Sequence, residues 1–115
     1  MDAVSSDLFD NSLKSLFKKY ERAKKDVIDL ISEVTKNPGI GESIPGYGSG
    51  FDIYKLRGAL KSYGIGKSGG LRLIYFYDKQ DIILLYAYSK RQRSTEPKQE
   101  ILNWLKDKGF LEIIS

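Results

Sequence analysis

The chain contains no cysteine and no histidine. Without cysteine there is neither a disulfide framework nor a thiolate zinc site, and nothing argues for an oxidising compartment, so the cytoplasm is the expected location. Without histidine the commonest general base, the usual imidazole metal ligand and every Ser/His or Cys/His nucleophile arrangement are gone. Any catalysis has to use lysine, arginine, tyrosine or carboxylates. Long apolar runs are missing too. No stretch approaches the roughly 20 apolar residues of a membrane helix, and residues 1–10 carry acidic side chains rather than the apolar segment of a leader. No membrane partner is expected.

What is present suffices for one core. With 115 residues, 41% of them hydrophobic and 30% charged, the chain matches a common domain size, and a single domain over 1–115 is expected. The formal net charge is +4, but it is unevenly spread. Residues 51–95 hold 9 Lys/Arg against 3 Asp/Glu, whereas 1–50 and 96–115 are each slightly acidic. A positive surplus concentrated in the middle of a chain suits a polyanion such as nucleic acid, or an acidic protein partner.

Leu13, Leu16, Phe17, Tyr20, Ala23, Val27, Leu30, Ile31 and Val34 recur at spacings of three and four, the pattern of one helical face. Residues 11–36 form either one straight helix or two antiparallel helices with a corner at Tyr20-Glu21-Arg22. Asn37-Pro38-Gly39 ends the segment, because proline lacks an amide hydrogen and restricts the residue before it. A loop rich in glycine and proline follows over 39–50. Strand patterns then begin with Ile53-Tyr54-Lys55-Leu56-Arg57, where alternation sends Tyr54 and Leu56 to one face and Lys55 and Arg57 to the other. Residues 71–77 and 82–89, separated by a turn at 78–80, read as a β-hairpin. Thr95-Glu96-Pro97 resembles a helix start with a capping hydroxyl, and that helix carries Ile101, Leu102 and Leu105 inward and ends near Gly109. The fold expected is α+β: a small sheet, antiparallel or at most mixed, with an N-terminal helix or helix pair on one face and a C-terminal helix. Helices gathered on one face would leave the other face free.

Three basic clusters in the middle of the chain are candidates for chemistry: Lys55 with Arg57, Lys67 with Arg72, and Lys90-Arg91 with Arg93. On adjacent strands they would converge into a phosphate cradle, since guanidinium forks bind phosphate oxygens in pairs and lysine supplies point charge. Each alone reads equally well as part of a solvated outer face. Gly64-Ile65-Gly66-Lys67-Ser68-Gly69-Gly70 is not a P-loop, because its glycine spacing is too short and it leads into a strand rather than a helix. A glycine-rich connection is the simpler reading, with Lys67 in reach of a phosphate. Tyr75, Tyr77, Tyr86 and Tyr88 lie on the hairpin strands, where tyrosine serves either packing or base stacking. Trp104 reads as an anchor for the last helix.

Over about residues 9–104 the chain resembles the RelE/HigB-type toxins of bacterial toxin-antitoxin systems. The resemblance is carried by the basic amphipathic run from Leu13-Lys14 to Val34, by Asn37-Pro38 and Gly41, and by Ile53-Tyr54-Lys55-Leu56-Arg57. It continues in Gly66-Lys67-Ser68-Gly69-Gly70-Leu71-Arg72-Leu73-Ile74-Tyr75 and in Ile83-Leu84-Leu85-Tyr86-Ala87-Tyr88-Ser89-Lys90. It implies a compact sheet backed by helices, a cognate acidic antitoxin covering the basic surface, and cleavage of mRNA on the ribosome by attack of the 2′-hydroxyl on the adjacent phosphate. No metal or cofactor is implied. By position, Lys55 and Arg57 match the family's paired basic strand residues, Arg72 its phosphate-binding arginine, and Arg91 its proposed proton donor. Lys67, Lys90, Arg93 and Tyr88 would bind RNA. The chain departs from the family in having Arg57 where a lysine is proposed as base, and Pro97 where a tyrosine stands near the last helix. The family's short first strand has only Val4, Leu8 and Phe9 to build it here. Two other functions share this fold: a ParE-like toxin directed at DNA gyrase, and an inactive module that binds RNA or an antitoxin.

Overall fold

The computed structural model describes residues 1–47 and 52–109. Among them are three α-helices and a mixed five-stranded sheet, so the fold is α+β as the sequence indicates. The chain opens with β1 (Ala3–Ser5), then α1 (Asp7–Lys19) and α2 (Lys24–Lys36), then β2 (Glu42–Ser43) and β3 (Ile53–Gly58). The hairpin strands β4 (Leu71–Tyr77) and β5 (Ile82–Ser89) follow, and α3 (Lys98–Asp107) comes last. The strand order is β1-β5-β4-β3-β2, with β1 parallel to β5 and every other pairing antiparallel. Among the described residues no helix is long and apolar enough to cross a membrane.

The N-terminal helical pattern resolves into two helices. The first starts at Asp7, earlier than its apolar spacing suggests, because Ser6 caps it: the Ser6 hydroxyl accepts from the Phe9 amide at 3.0 Å and donates to the Leu84 carbonyl at 2.7 Å. One serine thus fixes both the helix start and its attachment to β5. The corner at residues 20–23 is held from across the fold by Tyr63. Its hydroxyl accepts from the Arg22 amide at 2.8 Å, the Arg22 guanidinium lies 4.7 Å from its ring centre, and Tyr20 meets the ring edge-on at 5.1 Å.

Two hydrophobic clusters lie on opposite faces of the sheet. The larger joins Phe9, Leu16, Val27, Leu30 and Val34 of α1 and α2, with Ala23 of the corner between them, to Leu71, Leu73, Tyr75, Leu84 and Ala87 of the hairpin. The smaller packs Ile101 and Leu105 of α3, with Tyr47, against Ile53, Ile74, Phe76, Leu85 and Tyr88. The expectation of a free second face is therefore corrected. The apolar stripe of α3 has to be buried somewhere, and alternation along β3 and β4 offers Ile53, Ile74 and Phe76 on that side. The capping hydroxyl expected at Thr95 is corrected as well: Pro97 occupies the cap position and no side chain caps α3.

Alternation alone does not decide which face β5 shows. Ile74 pairs with Tyr86 but Tyr75 pairs with Leu84, so Leu85 is an extra residue in the ladder. This bulge shifts the phase of the strand by one. Ile82 and Leu84 point into the larger cluster, whereas Leu85, Tyr86 and Tyr88 belong to the smaller one. The bulge thereby brings two tyrosines to the face that carries Lys55 and Arg57.

Candidate functional site

Arg57, Arg72 and Tyr88 form one transverse row. Arg57 of β3 is the register partner of Arg72 in β4, and Arg72 is the partner of Tyr88 in β5. Direct cross-strand partners share a face with their Cβ atoms about 5 Å apart. Lys55 lies two residues along β3 on the same face, in register with Ile74 and, through it, with Tyr86. The helix α3 covers the apolar end of this face and leaves the basic end open: Arg57 is exposed, and Lys55 and Tyr86 are half-buried.

Arg72 differs from the solvent-facing phosphate ligand expected of it. Its side chain is buried, with only 4% of the residue exposed. The guanidinium donates to the carbonyl oxygens of Lys67 at 2.7 Å, Leu71 at 3.0 Å and Ser68 at 3.1 Å. It fastens the glycine-rich connection to the start of β4. Burial, and after it the neighbouring Arg57 charge, pull its pKa below the ordinary arginine value, while Tyr88 acts in the opposite direction. Tyr88 is 3% exposed and packs in the smaller hydrophobic cluster, the packing reading of a strand tyrosine. Its phenol is pushed up to about 12, chiefly by burial and then by Glu96, against the lowering effect of Arg72, Arg93 and Arg57.

Arg93 joins the row from the turn after β5. Its guanidinium lies 5.9 Å from the ring centre of Tyr86 and 6.0 Å from that of Tyr88, its Nε donates to the Thr95 carbonyl at 2.9 Å, and one terminal nitrogen reaches the Tyr86 hydroxyl at 3.5 Å. Tyr86, Tyr88 and Arg93 also line a cleft of about 290 Å³ together with Ser12, Ser15 and Gln92. An arginine spread over two rings at the mouth of a cleft is a surface on which a base or a phosphate can rest.

The remaining candidates are more dispersed. Lys90 is exposed, its ammonium donates to the Ser94 carbonyl, and its amide donates to the Gly70 carbonyl at 2.8 Å. Arg91 is exposed and lies beside the glycine-rich connection, its Nε 3.5 Å from where a Cβ on Gly69 would stand. Lys67 is not brought to the row. It lines a cleft of about 270 Å³ with Asp26, Asp29 and Glu33 of α2 and with Lys61. Its main-chain oxygen serves the site by holding Arg72, while its residue position faces acidic neighbours that oppose an anion.

Two residues that sequence reasoning did not place here complete the site. Glu96 pairs with Lys55, Oε2 to Nζ at 3.8 Å, both side chains about one-fifth exposed at 19% and 21%. Tyr47 is 1% exposed, and its hydroxyl has no hydrogen-bond partner among the described residues. Burial, then Glu96, then Tyr88 raise the Tyr47 phenol above its ordinary value. Neither residue carried a signal: Glu96 read as a helix start, and Tyr47 was one aromatic in a glycine-rich loop. Among the described residues there is no cluster of three or more acidic side chains placed to hold a metal ion.

No protein-family model matches the chain, and no curated protein matches it.

Proposed function

We propose that the protein is an endoribonuclease that cuts messenger RNA on the ribosome and is held in check by an acidic protein partner. The observation that carries this reading is the row Arg57, Arg72 and Tyr88, extended by Lys55 and Arg93, on the open end of one sheet face. RNA brings its own nucleophile, so the protein has to hold the phosphate, stabilise charge on its oxygens and assist departure of the 5′-oxygen. No metal enters this scheme.

The Arg57 side chain makes no hydrogen bond or ion pair among the described residues, and its fork is the natural ligand of the scissile phosphate. Lys55 adds point charge beside it. Arg72 contributes positive potential from behind while holding the connection that precedes β4. Arg91 and Lys90 supply charge for the departing oxygen, and Arg93 with Tyr86 supports the neighbouring nucleotide. The likeness of 9–104 to RelE/HigB-type toxins supplies the ribosome and the antitoxin in this reading. The basic surplus of 51–95 suits both.

A second reading, a binding module without cleavage, draws on the engagement of Arg72 with three main-chain carbonyls. Purified protein added to ribosomes translating a defined message, followed by primer extension, separates the two. Codon-phased cuts that weaken in Arg57→Ala support the nuclease. Retained RNA or ribosome without cutting supports the binding module, and gyrase-linked DNA breaks without RNA cleavage would replace both with a ParE-like activity.

A further inference from the structure

Attack by a 2′-hydroxyl needs a group that takes its proton. The cations of the site are poorly suited to this, because an arginine stays protonated at any physiological pH and a lysine ammonium ordinarily keeps its proton to roughly pH 10. Tyr47 and Tyr88 are phenols whose protons are held more tightly than usual. Among the described residues two carboxylates stand beside Lys55, Glu42 as its exposed register partner on β2 and Glu96 ahead of α3, and Glu96 is the one paired with its ammonium. Glu96 precedes Pro97 at the entrance to α3, and proline confines the residue before it to extended backbone, which limits how far the side chain wanders. Its Oε2 lies 3.8 Å from the Lys55 Nζ, beside the phosphate-binding end of β3. Around it stand Lys55 from β3 with its β2 partner Glu42, Tyr88 from β5 with its neighbours Arg57, Arg72 and Arg93, and Tyr47, over whose ring the Lys98 ammonium of α3 stands at 5.9 Å. The other carboxylates of the middle of the chain lie elsewhere, Asp78 and Asp81 at the hairpin turn and Asp52 before β3.

We propose that Glu96 is the general base of the site, and this rests on the endoribonuclease reading given above. The 2′-hydroxyl proton passes to the Glu96 carboxylate as the O2′–P bond forms. The P–O5′ bond breaks with its electron pair going to O5′, which takes a proton from water. The products are a 2′,3′-cyclic phosphate and a 5′-hydroxyl, and Glu96 returns its proton to solvent. Lys55 then has two tasks, orienting the carboxylate and meeting the phosphate, which accounts for a half-buried acid at the centre of a basic surface.

The test is Glu96→Gln in the full chain, assayed in single turnover on ribosome-bound message across a pH series. The variant keeps the shape and a hydrogen-bond acceptor, so thermal unfolding is expected to match wild type and RNA affinity to hold or rise as a negative charge is lost. Cleavage is expected to fall by roughly 10²–10⁴-fold, the usual contribution of a general base. The wild-type rate is expected to vary with pH, and Glu96→Gln is expected to flatten that variation. A folded Glu96→Gln protein that cuts at the wild-type rate with the same pH profile overturns the assignment and leaves the nuclease reading standing. Wild-type protein that cuts no RNA overturns both.

Discussion

Arg57 and Arg72 are direct cross-strand partners on β3 and β4, two like charges placed side by side with no carboxylate among the described residues paired to either. Like charges directly opposed in a sheet cost stability, by about 0.2–1 kcal/mol. The Arg72 fork is held by main-chain carbonyls, so the member of the pair free to be replaced without loss of contacts is the exposed Arg57. Arg57→Ala is therefore expected to leave stability unchanged or raise it within that range, by urea denaturation. The same variant is expected to weaken binding of single-stranded RNA and to reduce the slope of log K against log salt by about 0.7, one phosphate contact fewer. Affinity titrations over a series of salt concentrations read this directly. An unchanged slope would remove Arg57 from the interface.

Arg72 behaves differently because its donors are already in use. Truncating it strands the carbonyls of Lys67, Ser68 and Leu71, and a hydrogen bond from a charged donor is worth about 1.5–3 kcal/mol. Arg72→Ala is expected to destabilise the protein by about 2–4 kcal/mol, less than the sum because the connection relaxes toward water. Arg72→Lys is expected to recover only part of this, since one ammonium lacks the planar fork that reaches carbonyls on two sides. Amide hydrogen exchange over 65–71 is expected to quicken in both variants. Loss of activity in Arg72→Ala alone thus reports the shape of the connection as much as a phosphate contact.

Much of this arrangement was legible in the residue pattern, and the parts that were not share a cause. The helical spacing of Leu13 to Val34 and the alternation of Ile53 to Arg57 reflect burial against a neighbour, which leaves a periodic trace. The phase shift at Leu85 leaves none, because Ile82 to Ser89 reads as one apolar run whichever face each residue takes. Tyr86 and Tyr88 could therefore be seen as strand tyrosines without a face being assigned. The pairing of β1 with β5 joins residues 3–5 to 82–84, a contact between distant segments that three exposed or half-buried residues do not announce. Glu96 escaped for a chemical reason. Its role depends on Lys55, forty-one positions away, and local spacing carries no information on such a pair.

The two buried phenols give the site a signature at high pH. Tyr88 has its pKa raised to about 12 from an ordinary value of 10.0, and Tyr47 is raised as well, burial being the leading cause for both. The folded state keeps protons that the unfolded chain gives up, so their contribution to stability is intact below pH 10.0 and is lost as pH rises toward about 12. Stability by urea denaturation is expected to decline across this window, and more shallowly in Tyr88→Phe. Phenolate absorbance is expected to show some of the eight tyrosines titrating late. For Tyr47→Phe, removal of a buried hydroxyl that has no hydrogen-bond partner among the described residues is expected to raise stability at neutral pH by about 1 kcal/mol. A loss there would mean that the hydroxyl is satisfied.

Gly70 ties the glycine-rich connection to the end of β5. A Cβ at Gly70 would run into the main-chain oxygens of Gly58 and Gly66 and approach the Ala59 Cα at 3.1 Å, all backbone atoms that cannot rotate aside. Its own carbonyl accepts from the Lys90 amide at 2.8 Å, so any shift of Gly70 drags the turn that carries Lys90 and Arg91. Gly70→Ala is expected to cost about 1–3 kcal/mol, the usual penalty of overpacking, and to impair cleavage beyond what the lost stability explains. Gly66→Ala is the control, because nothing stands within 4 Å of its Cβ position. It is expected to change stability by less than about 0.5 kcal/mol and to leave activity intact. Urea denaturation and single-turnover cleavage of both variants check the contrast. If Gly66→Ala proved as harmful as Gly70→Ala, mobility of the whole connection rather than the close approach at Gly70 would be what the glycines provide.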